Sequence, residues 1–216
     1  MSIRVGKMVL GMVGTNCYFV YDDAQEGMKD ALVFDPGDEG EVVYEKMKAA
    51  GLKCAAILLT HGHFDHIWGV QELRGKSGAK VYALDAEEQL LGDAALNVSQ
   101  SAGRACTVKV NELLTDGQEI ELAGLKLKVI ATPGHTQGSC CYYIENAGIL
   151  ISGDTIFEES VGRTDLPTGS GSKLVRSIQE KLFVLPDAVK VYPGHGDATT
   201  IGHEKDYNPY IGSGMN

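Results

Sequence analysis

Thr60-His61-Gly62-His63-Phe64-Asp65-His66 follows directly on the apolar run 54–59, CAAILL. That run is short enough for a buried strand, and its polar end packs three imidazoles and one carboxylate into six residues. Such a cluster makes a poor core and an odd surface. Imidazole and carboxylate without thiolate are the ligand types of Zn²⁺, Fe or Mn²⁺, with room left for water.

Three more apolar runs end in the same way. The run 127–131 leads into Thr132-Pro133-Gly134-His135, 148–152 into Gly153-Asp154, and 189–192 into Pro193-Gly194-His195. Of the six histidines, all but His203 fall in these loops. A Gly-Asp or Pro-Gly-His alone reads as a turn. Beside the first cluster, the three loops become candidate ligands on one rigid frame. Seven ligands are too many for one tetrahedral ion and suit two ions sharing a bridge. His203 is left as a solvated loop residue, and Trp68 and Tyr82 read as core.

Strand-like and helix-like stretches alternate between these loops. Residues 16–21 and 31–34 read as strands. Asp38 with Glu41 reads as the cap of a helix whose Val43, Met47 and Ala50 face inward and which Gly51 ends. Ile67 to about Arg74 reads as a helix, 79–84 as a strand, and Asp85 with Glu88 as another cap. Hairpins are predicted over 118–131 and 139–152, then a helix over 172–184 with Leu174, Ile178 and Leu182 inward, and a strand over 189–192. The hairpins argue against a purely parallel doubly wound sheet.

The chain of 216 residues carries 29 acidic against 19 basic side chains, a net charge of −10. That excess argues against a nucleic-acid partner, since phosphate binding needs clustered Lys and Arg. No run approaches the length of a membrane helix, and Met1–Leu10, with Arg4 and Lys7, lacks the pattern of a secretory signal. A cytoplasmic protein is expected. Cys17, Cys54, Cys106, Cys140 and Cys141 are odd in number, with no Cys-x-x-Cys among them, and read as free thiols, mostly buried. The sequon Asn97-Val98-Ser99 carries no meaning in that compartment.

With Phe34-Asp35-Pro36-Gly37, Gly153-Asp154-Thr155 and Pro193-Gly194-His195-Gly196 added, the chain resembles the metallo-β-lactamase-fold hydrolases. The resemblance implies an α+β fold, a four-layer αββα sandwich, formed by residues 1–216 as one domain. It also implies that His61, His63 and His135 hold one metal, that Asp65, His66 and His195 hold a second, and that Asp154 bridges. Asp35 would steady the ligand loops. The run Ser160-Val161-Gly162-Arg163-Thr164-Asp165 is most similar to the compact glyoxalase II-like branch. Only 21 residues follow His195, so the helical extension with which longer members grip glutathione is not expected.

The activity implied is hydrolysis of a small-molecule thioester such as S-D-lactoylglutathione. The attacking group would be a hydroxide held between two divalent ions, Zn²⁺ first and Fe or Mn as alternatives. Asp65 would orient it, and Arg163 would grip the substrate's peptide-like tail unless it only forms a surface ion pair. The rival implied by the same resemblance is a persulfide dioxygenase with one Fe²⁺ on His61, His135 and Asp154.

Overall fold

The computed structural model describes residues 2–211. Two six-stranded sheets carry the ligand loops. The first runs in chain order: β1 (Ile3–Leu10), β2 (Thr15–Asp22), β3 (Lys29–Phe34), β4 (Leu52–Leu58), β5 (Lys80–Leu84) and β6 (Glu112–Leu114). Strands β1 to β3 are antiparallel, and β3 to β6 are parallel. The second sheet contains β7 (Glu119–Leu122), β8 (Leu125–Ala131), β9 (Cys140–Ile144) and β10 (Ile149–Gly153). A two-stranded ribbon, β11 (Ile156–Phe157) with β12 (Ser160–Val161), follows, and β13 (Lys190–Pro193) and β14 (Thr199–Thr200) complete the sheet in the order β14-β13-β10-β9-β8-β7. The helices are α1 (Gly40–Ala49), α2 (Phe64–Ile67), α3 (Val70–Ser77), α4 (Glu88–Leu91), α5 (Gly171–Ser177) and α6 (Ile201–Tyr207).

Side-chain alternation along the strands separates three apolar layers. Cys17, Phe19, Ala31 and Val33 pack outward against Val43 and Met47 of α1 and Val70 and Leu73 of α3. Their neighbours Tyr18, Val20, Leu32 and Phe34 turn inward against Leu127, Val129, Cys140 and Tyr142 of the second sheet. The far face of that sheet, with Ile130, Cys141 and Leu150, is covered by Leu174, Ile178 and Leu182. The result is the expected αββα sandwich. Strands buried on both faces explain why 16–21 and 31–34 read as unbroken apolar runs.

Several local readings need correction. Asp38 does not cap α1: its carboxylate accepts from the Arg104 guanidinium at 2.7 Å, and Glu39 enters the helix without a side-chain cap. Ala50 is exposed, because the chain turns away there into Gly51 at φ 72°. The helix expected from Ile67 is divided, since Gly69 N–H donates to Pro36 O at 2.9 Å between α2 and α3. Trp68 is half-buried at the rim, between the Phe64 ring and the Arg104 guanidinium, 4.3 Å away. Tyr82 is likewise half-buried, packed against the inter-sheet layer. His203 lies on α6, 3.1 Å from Glu159 Oε1, not in a loop. The helix expected over 172–184 relaxes into π-helical turns at Ile178–Leu182, yet keeps its inward face. Strand β1 was not expected; it pairs with β2 along its whole length.

All five cysteines are free, and Cys106 alone among them is not fully buried. Asn97 is buried and donates to Cys106 O, so its side chain is occupied inside the protein.

Tyr142 ties the sheets together: its hydroxyl donates to Leu59 O at 2.9 Å, with both groups buried. Tyr142→Phe removes that donor while keeping the ring. The expected loss is about 1–2 kcal/mol, read as a lower urea midpoint at unchanged slope.

Candidate metal centre

The ligand-bearing loops leave one edge of the two sheets. His61 and His63 follow β4, Asp65 and His66 lie on α2, and His135, Asp154 and His195 follow β8, β10 and β13. The structure brings all seven together. His135 Nε2 lies 3.2 Å from His61 Nε2 and 2.8 Å from His63 Nδ1. Neighbouring ligand atoms around a tetrahedral Zn²⁺ are about 3.3 Å apart, given Zn–N distances near 2.0–2.1 Å. Asp65 Oδ2 stands 3.2 Å from His195 Nε2 and 3.6 Å from His66 Nε2. Asp154 lies between the two groups, with Oδ1 3.4 Å from His66 Nε2 and Oδ2 3.6 Å from both His135 and His195.

Three triads emerge: His61/His63/His135, His61/His66/Asp154 and Asp65/His66/His195, the ligand atoms of each within 4.8 Å of one another. The chemistry of these atoms fits cations. His66 Nε2 and Asp154 Oδ1, 3.4 Å apart between the groups, are buried with no well-formed hydrogen bond, and so is His63 Nε2, on the ring whose Nδ1 faces His135. Buried polar atoms without partners are costly and rare, and the facing His66 and Asp154 atoms mark a place meant for something positive.

A carboxylate outside the cluster sets its tautomers. Asp35, buried at the end of β3, accepts from Thr60 N–H at 2.8 Å and Thr60 Oγ1 at 2.6 Å, and its Oδ2 lies 3.0 Å from His66 Nδ1. With its proton given to Asp35, Thr60 Oγ1 accepts from His61 Nδ1 at 3.2 Å. One acid thus turns the Nε2 lone pairs of two histidines toward the centre. His135 is oriented by the backbone, its Nδ1–H donating to Arg163 O at 2.7 Å. The Arg163 guanidinium points elsewhere, into an exposed two-pronged pair with Asp165.

Side-chain hydrogen bonds within and between the halves hold the remaining loops. Thr15 Oγ1 donates to Asp65 Oδ2 at 3.0 Å. Asn16 Nδ2 donates to Pro193 O and Gly196 O, and Tyr18 Oη to Pro193 O, on either side of His195. Packing is tight enough that two glycines are required: a Cβ on Gly37 would sit 1.9 Å from Asp65 O, and one on Gly194 2.1 Å from Asp154 Oδ1. Glu87, buried and also unforeseen, accepts from Gly62 N–H and Gly138 N–H, each at 2.8 Å. Thr15, Asn16 and Glu87 carried no sequence signal, since their partners are distant in the chain.

The metallo-β-lactamase superfamily model matches residues 10–195, and these residues include every ligand of the cluster. This chain belongs to the metallo-β-lactamase superfamily. Among its superfamily relatives is a probable metallo-hydrolase, YqgX, of Bacillus subtilis, 41% identical over 95% of this chain and 96% of that protein. The hydroxyacylglutathione hydrolase GloC of Haemophilus influenzae is 31% identical, covering 92% of this chain and 93% of that protein. A solved structure described as the BLEG-1 B3 metallo-β-lactamase superposes with a TM-score of 0.91 at 39% identity, covering 96% of this chain and 99% of that one. No helix among the described residues is long and apolar enough to cross a membrane.

The electrostatics of this superfamily centre divide its histidines. Burial, reinforced by the neighbouring imidazoles, holds His61 well below the ordinary range and His63 down at about 3, so both keep free lone pairs at neutral pH. Burial opposes charge on His66 too, but Asp65, Asp154 and Asp35 outweigh it and raise its pKa. At His195, Asp65 and Asp154 likewise overcome burial. The same pairs hold Asp65 down at about 2 against its burial, and keep Asp154 low. The two carboxylates therefore favour protons on His66 and His195, in competition with a metal ion. Metal uptake must displace those protons. Titration of the metal-free protein with Zn²⁺ in weak buffer with an indicator dye is expected to release protons. Apparent affinity should strengthen as pH rises through the raised histidine pKa values, and a pH-independent affinity would contradict this charge assignment.

Proposed function

We propose that this chain hydrolyses a small thioester such as S-D-lactoylglutathione, using two divalent ions, Zn²⁺ foremost, with Fe or Mn as alternatives. The observation that carries the reading is the position of Asp65: a largely buried carboxylate fixed by Thr15 and facing His195 and His66 across the second triad. The likeness to a relative named hydroxyacylglutathione hydrolase gives the substrate its direction. The ions, when bound, supply Lewis acidity and water that is nucleophilic at neutral pH.

In this reading His61, His63 and His135 would hold one ion. Asp65, His66 and His195 would hold the other, with Asp154, which stands between the two groups, available to either. Asp65 accepts a hydrogen bond from the attacking water and so aims its lone pair at the acyl carbon. The new C–O bond forms and the C–S bond breaks; sulfur departs as a thiolate that takes up one of the water's protons, and the other is released with the product carboxylate. Arg163, exposed near the His135 loop, exchanges Asp165 for a carboxylate on the substrate's tail, a pairing its planar fork suits. Buried free thiols fit a reducing, intracellular setting. The likeness to the structure described as a B3 metallo-β-lactamase favours β-lactam opening as a second reading, since water held in this way also attacks a strained amide.

The deciding assay offers S-D-lactoylglutathione and a chromogenic cephalosporin to protein prepared anaerobically and loaded with Zn²⁺ or Fe²⁺. Thioester turnover is expected, with kcat falling about 100-fold or more in Asp65→Ala. Cephalosporin turnover alone would transfer the proposal to the β-lactam reading. One iron per chain with persulfide-dependent oxygen uptake would replace hydrolysis altogether. Arg163→Ala should raise KM about tenfold, the loss of about 1.4 kcal/mol of binding, with kcat little changed. Unaltered kinetics would remove Arg163 from the substrate's path.

A further inference from the structure

Glu87 closes the short turn between β5 and α4, and only 1% of it is exposed. No cation pairs with it among the described residues. Its oxygens are instead held by two backbone N–H groups, Oε1 at Gly62 and Oε2 at Gly138, with the Thr136 hydroxyl, next to His135, beside them. Gly62 lies between His61 and His63 in the loop of the first sheet. Gly138 lies three residues beyond His135 in the loop of the second. The fit is close, since a Cβ on Gly138 would stand 2.5 Å from Glu87 Oε2 and 2.3 Å from Glu87 N. Gln137 Nε2 adds a bond to Ala86 O at 3.1 Å across the same seam.

We infer that Glu87 is a positioning residue that sets the spacing of the His61/His63/His135 triad by clamping the loops of the two sheets onto one carboxylate. A buried acid without a counter-ion is a costly way to fill space, and an apolar side chain would fill it at less expense. What an apolar or amide side chain cannot do is accept from both N–H groups at once. In Glu87→Gln one oxygen remains, while the amide NH₂ meets an N–H donor and pushes one loop away. Glu87 touches none of the three imidazoles in the contacts described, so its effect passes through the backbone.

The inference rests on the metal-centre reading but not on the choice of substrate. Its test is therefore metal affinity, with activity measured separately. Wild type, Glu87→Gln, Glu87→Met and Glu204→Gln are each titrated with Zn²⁺ against a chelator and with Co²⁺ by visible absorption, and melted in the metal-free form. Glu204 is the control: it is equally buried and bonds to Thr199, Asn208 and Glu159 N–H, outside the cluster. Both Glu87 variants should weaken the tighter ion by about 10- to 100-fold and change the Co²⁺ spectrum, with Glu87→Met at least as heat-stable as Glu87→Gln. Glu204→Gln should lower Tm and leave affinity and spectrum unchanged. Wild-type affinity and spectrum in both Glu87 variants would overturn the inference. So would losses that track Tm across all three variants. A wild-type protein that binds two ions but cleaves no thioester would sink the proposed substrate and leave Glu87 standing.

Discussion

Asp35 holds the strand-end architecture and the chemistry in a single set of hydrogen bonds. It sits where β3 stops, at φ 49°, a left-handed conformation that a non-glycine residue adopts only when its surroundings compensate. The compensation is visible: two bonds fasten the start of the His61 loop, and a third fixes His66. Through Thr60 the same carboxylate governs His61. Parallel pairing of β3 with β4 places the acid beside the loop that it organises. Without this carboxylate, His61 and His66 would lose the bonds that orient their rings, and the cluster its shared direction.

Around that anchor, the centre is assembled from two sheets that share no strands. The first supplies His61, His63, Asp65 and His66, and the second supplies His135, Asp154 and His195. Their separation is fixed by three seams: Glu87 on one side, Tyr142 in the middle, and Asn16 with Tyr18 on the other. Each seam pairs a side chain of one half with backbone groups of the other. Backbone partners suit this role because the sheet holds them rigidly, whereas a surface ion pair can rearrange.

The cluster was legible because its chemistry is local in sequence. Three imidazoles in six residues announce themselves, and Gly-Asp and Pro-Gly-His gained meaning from ending apolar runs. The support was not legible for the opposite reason. Glu87 is one acid among 29 acidic side chains, and it lies in a stretch where Asp85 and Glu88 offered a simpler account as a helix cap. Its role exists only once Gly62 and Gly138 arrive beside it. Asn16 looked like one more polar residue at a strand start until the Pro193 turn closed over it. Strand β1 was hidden because Arg4 and Lys7 interrupt its apolar residues on a sheet edge, where one side of the strand needs no partner. Trp68 was read as core from its chemistry alone, but an Arg104 face and a backbone carbonyl satisfied it at the rim.

The bond from Asn16 to the carbonyl of Pro193 spans 177 positions. Loop-closure entropy makes such a contact among the last that a folding chain can afford. During synthesis the first sheet can form while β13 is still inside the ribosome, yet Asp65 and His66 then face solvent without His195 and Asp154. At that stage only His61, His63, Asp65 and His66 are in place. The full ligand set therefore exists only after the second sheet has closed on the first, so an intact cluster reports that the two sheets have met.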